Sequence, residues 1–326
     1  MNPSDPSPSS MQGWRDAERE TVEDVLRALL ECEYHQHSAT DEHLAGLVDV
    51  PREKILPALA LAQSAGLVAT TVRDDSAAPE WMLLPAGREI ALLIMRAHRL
   101  VETRLARESG LQPEDWHARA HAEEHRLSAE EVARLADQLD NPRFDPHGDP
   151  IPSAEGRWPE ITGSTLLAWT PAVPGVIAHI EDEPAPLYAR LAREGIYAGM
   201  HFSLRAIHPS ACHLTIEARE FHLPLELAAM IRVRAADPTD PPIPPSACRL
   251  SDLQIGESAD ALRLLPGCIG AERSRLLDLG FVPGSRIEFS LQSPFHGPAA
   301  YQVRGTLIAL RREQADQVLV ARTPQS

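Results

Sequence analysis

The chain has 326 residues, 43% of them hydrophobic, a formal net charge of −16 and four cysteines. That length accommodates two or three domains with packed cores. No apolar run approaches about eighteen residues, which argues against a membrane span. The absence of a signal-peptide pattern predicts a cytoplasmic protein. Cys32, Cys212, Cys248 and Cys268 are far apart and form no CxxC pair, which argues against a disulfide scaffold or a four-thiolate zinc site.

Residues 1–13 are rich in Ser and Pro and read as a mobile tail. A first helix is predicted from Trp14 to Tyr34, with Val22, Val25, Leu26, Leu29 and Leu30 as its apolar stripe and Asp24 off that stripe. A short helix follows over Ala39–Val48, opened by Thr40-Asp41. A third runs from Pro51 to Ser64 and is closed by Gly66. Strands at Leu67–Arg73 and Glu80–Leu84 flank a loop at Asp74–Pro79. Three helices and a two-stranded wing make residues 14–86 a winged helix-turn-helix, with the helix from Pro51 entering the major groove. Arg52, Glu53 and Lys54 are its only candidates for base contacts. Pro57, inside that helix, is expected to kink it or to cost about 3 kcal/mol. From Arg15 to Asp75 six Arg or Lys oppose thirteen Asp or Glu, an unusual balance for DNA binding, which relies on phosphate neutralisation. A winged helix that has lost DNA binding is therefore the alternative.

Residues 87–140 carry the densest chemistry. His98 and Glu102 are one helical turn apart, as are His117 and His121. His121, Glu124 and His125 have i, i+3, i+4 spacing. Helices are predicted at Gly87–Leu105 and over Gln112–Leu139, the latter re-opened by Ser128-Ala129-Glu130-Glu131. Mixed imidazole and carboxylate ligands suit zinc, iron, manganese, nickel or cobalt better than calcium or magnesium. By spacing alone, a solvated polar face remains the alternative. Ile90, Leu93, Ile94 and Leu100 form an apolar face expected to need a second subunit.

Residues 141–157 read as an irregular linker, and 235–247, with five prolines, as a stiff spacer. An internal repeat surrounds that spacer. Arg190–Gly199 aligns with Arg275–Gly284, each followed by an alternating strand, and Leu223–Ile231 aligns with Leu310–Val318. The two copies, 158–234 and 248–322, read as small β-barrels, each with one helix, about Ala185–Glu194 and Glu272–Leu279.

Leu83–Leu105, His117–Ser128 and the run Gly148-Asp149-Pro150-Ile151-Pro152 resemble the dimerisation domain of the diphtheria toxin repressor family of metal-dependent regulators. The motif Val22-Glu23-Asp24-Val25-Leu26 resembles that family's first helix. The resemblance implies a primary metal site of Asp24, His121, Glu124 and His125. It also implies an ancillary site of His98, Glu102 and His117, completed by His179 and Asp182, with Glu181 as an alternative. Without the resemblance Asp24 would read as a surface aspartate. Cys248–Val320 resembles the ferrous iron transport protein A (FeoA) family of SH3-like domains through Leu250-Ser251-Asp252-Leu253, Gly256-Glu257, Arg275–Gly284, Val303-Arg304-Gly305-Thr306 and Ile308–Arg312.

The expected protein is an α+β multidomain chain: a winged helix, a helical dimerisation and metal domain, and two SH3-like barrels. It would be a homodimeric regulator that binds Fe2+ or Mn2+, with Zn2+ competing because His121 makes the site nitrogen-rich, and that acts on double-stranded DNA. The alternative is a metal sensor or adaptor that contacts the ferrous iron transporter through its FeoA-like domain. No HExxH motif or activated nucleophile points to an enzyme.

Overall fold

The computed structural model describes residues 14–48, 50–71, 79–160, 163–237, 240, 242–293 and 297–323. The expected N-terminal tail, and all of the loop expected at Asp74–Pro79 except Pro79, lie outside them. The chain divides into two compact units, each α+β in part. The first comprises Met1–Thr103, His117–Asp145 and Pro150–Pro159, and the second Arg104–Trp116, Pro146–Asp149 and Glu160–Ser326. No helix among the described residues is long and apolar enough to cross a membrane.

The first unit opens with α1 (Asp16–His35), α2 (Asp41–Leu47) and α3 (Arg52–Ser64), then an antiparallel hairpin of β1 (Val68–Thr71) and β2 (Glu80–Leu83). Val22, Val25, Leu26 and Leu29 are fully buried and pack with Leu44, Ile55 and Leu59, so the stripe read on α1 is the core of this region. Thr40 caps α2 by accepting from the His43 N–H. Gly66, at φ +71°, turns the chain out of α3, and the Leu67 N–H closes back on the Ala62 carbonyl at 2.9 Å.

Pro57, expected to kink α3 or to cost about 3 kcal/mol, lies inside an uninterrupted helix. The helix continues to Ser64 and buries Ala58, Leu59 and Ala62 beyond the proline. Pro57 itself is exposed, and burial of the neighbouring apolar side chains holds the helix together.

Helix α4 (Pro85–Glu108) begins with proline, whose missing N–H costs nothing at a helix start. A Cβ on Gly87 would lie 2.1 Å from the Leu67 carbonyl oxygen; only glycine lets α4 start against the hairpin. A short 3-10 turn (Pro113–Asp115) precedes α5 (Trp116–Glu124), and α6 (Ala129–Gln138) starts from a reciprocal Ser128/Glu131 cap. The further helix expected to open at Ser128 is α6, the segment expected to be helical from Gln112 begins as a 3-10 turn, and His125 sits one residue past the end of α5. The apolar stripe expected to need a second subunit is largely covered within this chain. Ile90 and Ile94 join the core around α1, and Leu100 is fully buried. The expected linker is also ordered against the first unit in its second half. Arg96 donates to the Pro152 carbonyl at 2.7 Å, and just past the linker the Trp158 ring stacks on Tyr34 at 4.4 Å.

The second unit contains the repeat. Its first copy has β3 (Ser164–Thr165), β4 (Pro174–Ile180), α7 (Ala185–Arg193), β5 (His201–Ile207), β6 (Ala211–Ile216), β7 (Arg219–Pro224), α8 (Leu225–Ala228) and β8 (Ile231–Ala235). Its second copy has β9 (Ala247–Arg249), β10 (Ser258–Leu264), α9 (Gly270–Asp278), β11 (Arg286–Gln292), β12 (Ala299–Val303), β13 (Thr306–Leu310), α10 (Arg312–Ala315) and β14 (Val318–Arg322). The sheets run β3-β8-β4-β5-β6-β7 and β9-β14-β10-β11-β12-β13, the same path twice. In each copy the helix ends at a glycine in the left-handed region, Gly195 at φ +74° and Gly280 at φ +95°, which explains why the two glycine-containing turns align. All four cysteines are buried and free.

Candidate metal centre

Four side chains from two parts of the first unit converge. Asp24 comes from the middle of α1; His121, Glu124 and His125 come from the last turn of α5 and the residue after it. One potential ligand atom from each lies within 4.8 Å of all the others. His125 Nε2 is 3.2 Å from Asp24 Oδ1 and 3.4 Å from Glu124 Oε1, and His121 Nδ1 is 3.1 Å from Glu124 Oε1. Asp24 and His125 are buried and Glu124 fully so. His121 is half exposed and opens the cluster to solvent.

His98, Glu102 and His117 form a second cluster under the same 4.8 Å limit. His98 Nε2 is 3.1 Å from Glu102 Oε1 and 3.2 Å from His117 Nδ1. The clusters share a contact, because His98 Nδ1 bonds Glu124 Oε2. A carboxylate only accepts, so Nδ1 donates to Glu124, while Nε2 faces Glu102 and His117. Glu124 thus turns one oxygen toward each cluster.

Three supporting residues were not anticipated from the sequence. Glu23 is buried, and its Oε2 accepts from His125 Nδ1 at 2.7 Å, which directs Nε2 toward Asp24 and Glu124. Arg19 holds Glu23 Oε1 at 3.0 Å and the His125 carbonyl at 3.1 Å. The third is Arg27, whose Nε lies 3.8 Å from Glu124 Oε1. The only sequence signal for these residues is their helical spacing around Asp24, a pattern that also fits an exposed charged face.

The electrostatics follow from burial against charge. Burial pushes His98 down, but Glu102 and Glu124 overcome it and hold the imidazole up at about 10. Burial likewise lowers His125, and Asp24 and Glu23 raise it to about 9. Burial alone would raise Glu124; hydrogen bonds from His121 and His98 and the charge of Arg27 hold it well below the usual carboxylate range. Without metal, protons on histidine balance the carboxylates.

The residues fit a divalent transition ion. Asp24 Oδ1 and His125 Nε2 are buried, aimed at each other and without a hydrogen-bond partner, the condition a shared ligand relieves. Two imidazoles and two carboxylates form a borderline donor set. His179 and Asp182 belong to the second unit. There His179 Nε2 is 3.3 Å from Asp149 Oδ1 and its Nδ1 is 3.8 Å from Glu181 Oε1. Arg52, Glu53 and Lys54 are exposed on the first turn of α3, and Arg52 pairs with Asp41 at 3.1 Å.

The chain is similar to known proteins over most of its length. Residues 84–153 match the family model of the iron dependent repressor metal-binding and dimerisation domain, and residues 248–322 match the FeoA domain. The iron-dependent repressor IdeR of Mycobacterium tuberculosis is 28% identical over 221 residues, covering 60% of this chain and 96% of that protein. The diphtheria toxin repressor of Corynebacterium glutamicum is 35% identical over 126 residues, 35% of this chain and 55% of that protein. Among solved structures, a manganese-dependent transcriptional repressor in complex with manganese has a TM-score of 0.58 at 27% identity, covering 66% of this chain and all of that one. The repressor ScaR with bound Zn2+ has a TM-score of 0.52 at 25% identity, covering 66% of this chain and 99% of that one. By these matches the chain is similar to the iron-dependent repressors over the metal-binding and dimerisation domain, residues 84–153, and to the FeoA domain over residues 248–322.

Proposed function

We propose that this protein is a homodimeric, metal-dependent transcriptional regulator that responds to Fe2+ or Mn2+, with Zn2+ as the competing ion. The observation that carries this is the convergence of Asp24, from α1, with His121, Glu124 and His125, from the end of α5. A divalent cation supplies there a Lewis-acidic centre that neutralises two carboxylates. Asp24 then ties the N-terminal region to the helices of the dimerisation domain. Glu23 keeps His125 in the tautomer that presents Nε2, and Arg19 holds both in place. His98, Glu102 and His117 form the ancillary site.

In this reading α1 to β2 make a winged helix-turn-helix over 14–86, with α3 in the major groove and Arg52, Glu53 and Lys54 at the bases. Residues 87–140 bring two copies together, and the repeated sheets at 158–234 and 248–322 are SH3-like. The protein acts in the cytoplasm and has no catalytic role. Metal switches DNA binding only if the arrangement that binds DNA also binds metal more tightly. The test is selection of duplexes from a random pool in Mn2+, followed by anisotropy titration in Mn2+ and in chelator. Binding that requires metal is expected. No retained duplex with Fe2+, Mn2+ or Zn2+ overturns the reading.

A further inference from the structure

Arg27 has a position that pairing does not explain. It lies on α1 one turn after Asp24, with its side chain only 14% exposed. Its Nε is buried and without a hydrogen-bond partner. The nearest carboxylate oxygen is Glu124 Oε1 at 3.8 Å, too far for a hydrogen bond. Among the described residues it makes no other ion pair, although the charges of Glu31, Asp24 and Glu102 also reach it. An arginine that served as a clamp would sit bidentate on its carboxylate, as Arg234 does on Asp240 at 2.6 and 2.9 Å. Arg27 instead places a fixed positive charge in a poorly solvated space beside the oxygen that faces the primary cluster.

We infer that Arg27 sets the metal-sensing threshold of the centre: its charge weakens the hold of the Asp24–His121–Glu124–His125 cluster on a divalent cation. This rests on the metal-regulator reading above. The physical ground is that like charges in a buried, low-dielectric site repel far more than in water. In the metal-free protein the same charge offsets Asp24, Glu102 and Glu124, so Arg27 stabilises the empty centre and opposes the filled one. A sensor needs such a term. Two carboxylates and two imidazoles with no opposing charge would retain metal when its free concentration falls.

The sign of the effect separates this role from a structural one. If Arg27 merely positioned Glu124, removing it would loosen the ligand and weaken metal binding. If it acts through charge, Arg27→Met should tighten Mn2+ binding by about tenfold or more, while Arg27→Lys, which keeps the charge, should stay within about threefold of the parent. The experiment is isothermal titration of the full-length chain with Mn2+, run beside thermal melts with and without metal. Arg27→Met should also lower the melting temperature of the metal-free protein and widen the shift that Mn2+ produces. If the metal-free variant does not stay folded, it is purified loaded and its affinity is read by chelator competition. Unchanged or weaker Mn2+ affinity in Arg27→Met overturns the inference. Failure of the parent protein itself to bind Mn2+, Fe2+ or Zn2+ overturns the metal-regulator reading instead.

Discussion

Replacing Glu124 with glutamine tests the centre most directly. The carboxylate is fully buried, with Oε1 3.1 Å from His121 Nδ1 and 3.4 Å from His125 Nε2, and Oε2 bonded to His98. Glutamine keeps the shape but removes the charge. In the metal-free protein it leaves Arg27 without its nearest carboxylate and removes one of the counter-charges of His98 and His125. Taking one partner from a buried ion pair costs about 3–5 kcal/mol. For a unit of this size that corresponds to a fall of about 10 °C in melting temperature. The variant also loses the one carboxylate that faces both clusters, so metal affinity should fall more than tenfold. The assays are a thermal melt followed by circular dichroism in chelator, and calorimetric titration with Mn2+. Glu123→Gln, on the same helix but paired with Arg119 at the surface, serves as control and should change neither quantity. A Glu124→Gln protein that melts within 2 °C of the parent (about half a kcal/mol here) and binds Mn2+ with unchanged affinity would refute the assignment.

Three further outcomes follow from the same geometry. Glu23→Gln removes the acceptor that orients His125 and should weaken metal binding by about 10- to 100-fold while leaving every ligand in place; an unchanged titration would remove Glu23 from the centre. Metal binding should release protons and strengthen as pH rises from 6 to 9, because His98 and His125 are raised to about 10 and about 9. Their contribution to the stability of the metal-free protein runs the other way. It is complete below the unfolded histidine value of about 6.5 and is lost as pH climbs through 9 to 10, so the melting temperature in chelator should fall over that range. DNA binding should show a shallow salt dependence. Arg52 and Lys54 are exposed on α3, but Arg52 is already paired with Asp41, and acidic residues outnumber basic ones in the surrounding region; a steep slope with nanomolar affinity would show that the DNA face lies elsewhere.

Much of this protein could be read without coordinates, for local physical reasons. Helical spacing put His98 with Glu102, and His121 with Glu124 and His125, on common faces, and side chains three and four residues apart on a helix meet whatever the rest of the chain does. The repeat was legible because each copy needs a left-handed turn at the same place, which glycine marks at Gly195 and Gly280. Other features depended on what packs against what. The sequence shows that Pro57 burdens α3; that Ala58, Leu59 and Ala62 beyond it are buried, so that the helix continues to Ser64, is decided by packing. Ile90, Ile94 and Leu100 read as a face awaiting a partner, yet they are buried within the chain. The companions of Asp24 on α1 are the clearest case. Glu23 and Arg27 have the spacing of ordinary surface charges. Only the approach of α5 to α1 turns one into the carboxylate that orients His125 and the other into a buried cation beside Glu124. Spacing along one helix is written in the sequence; burial, and with it the strength of every charge in the centre, is decided by contacts between residues a hundred positions apart, such as Glu23 and His125.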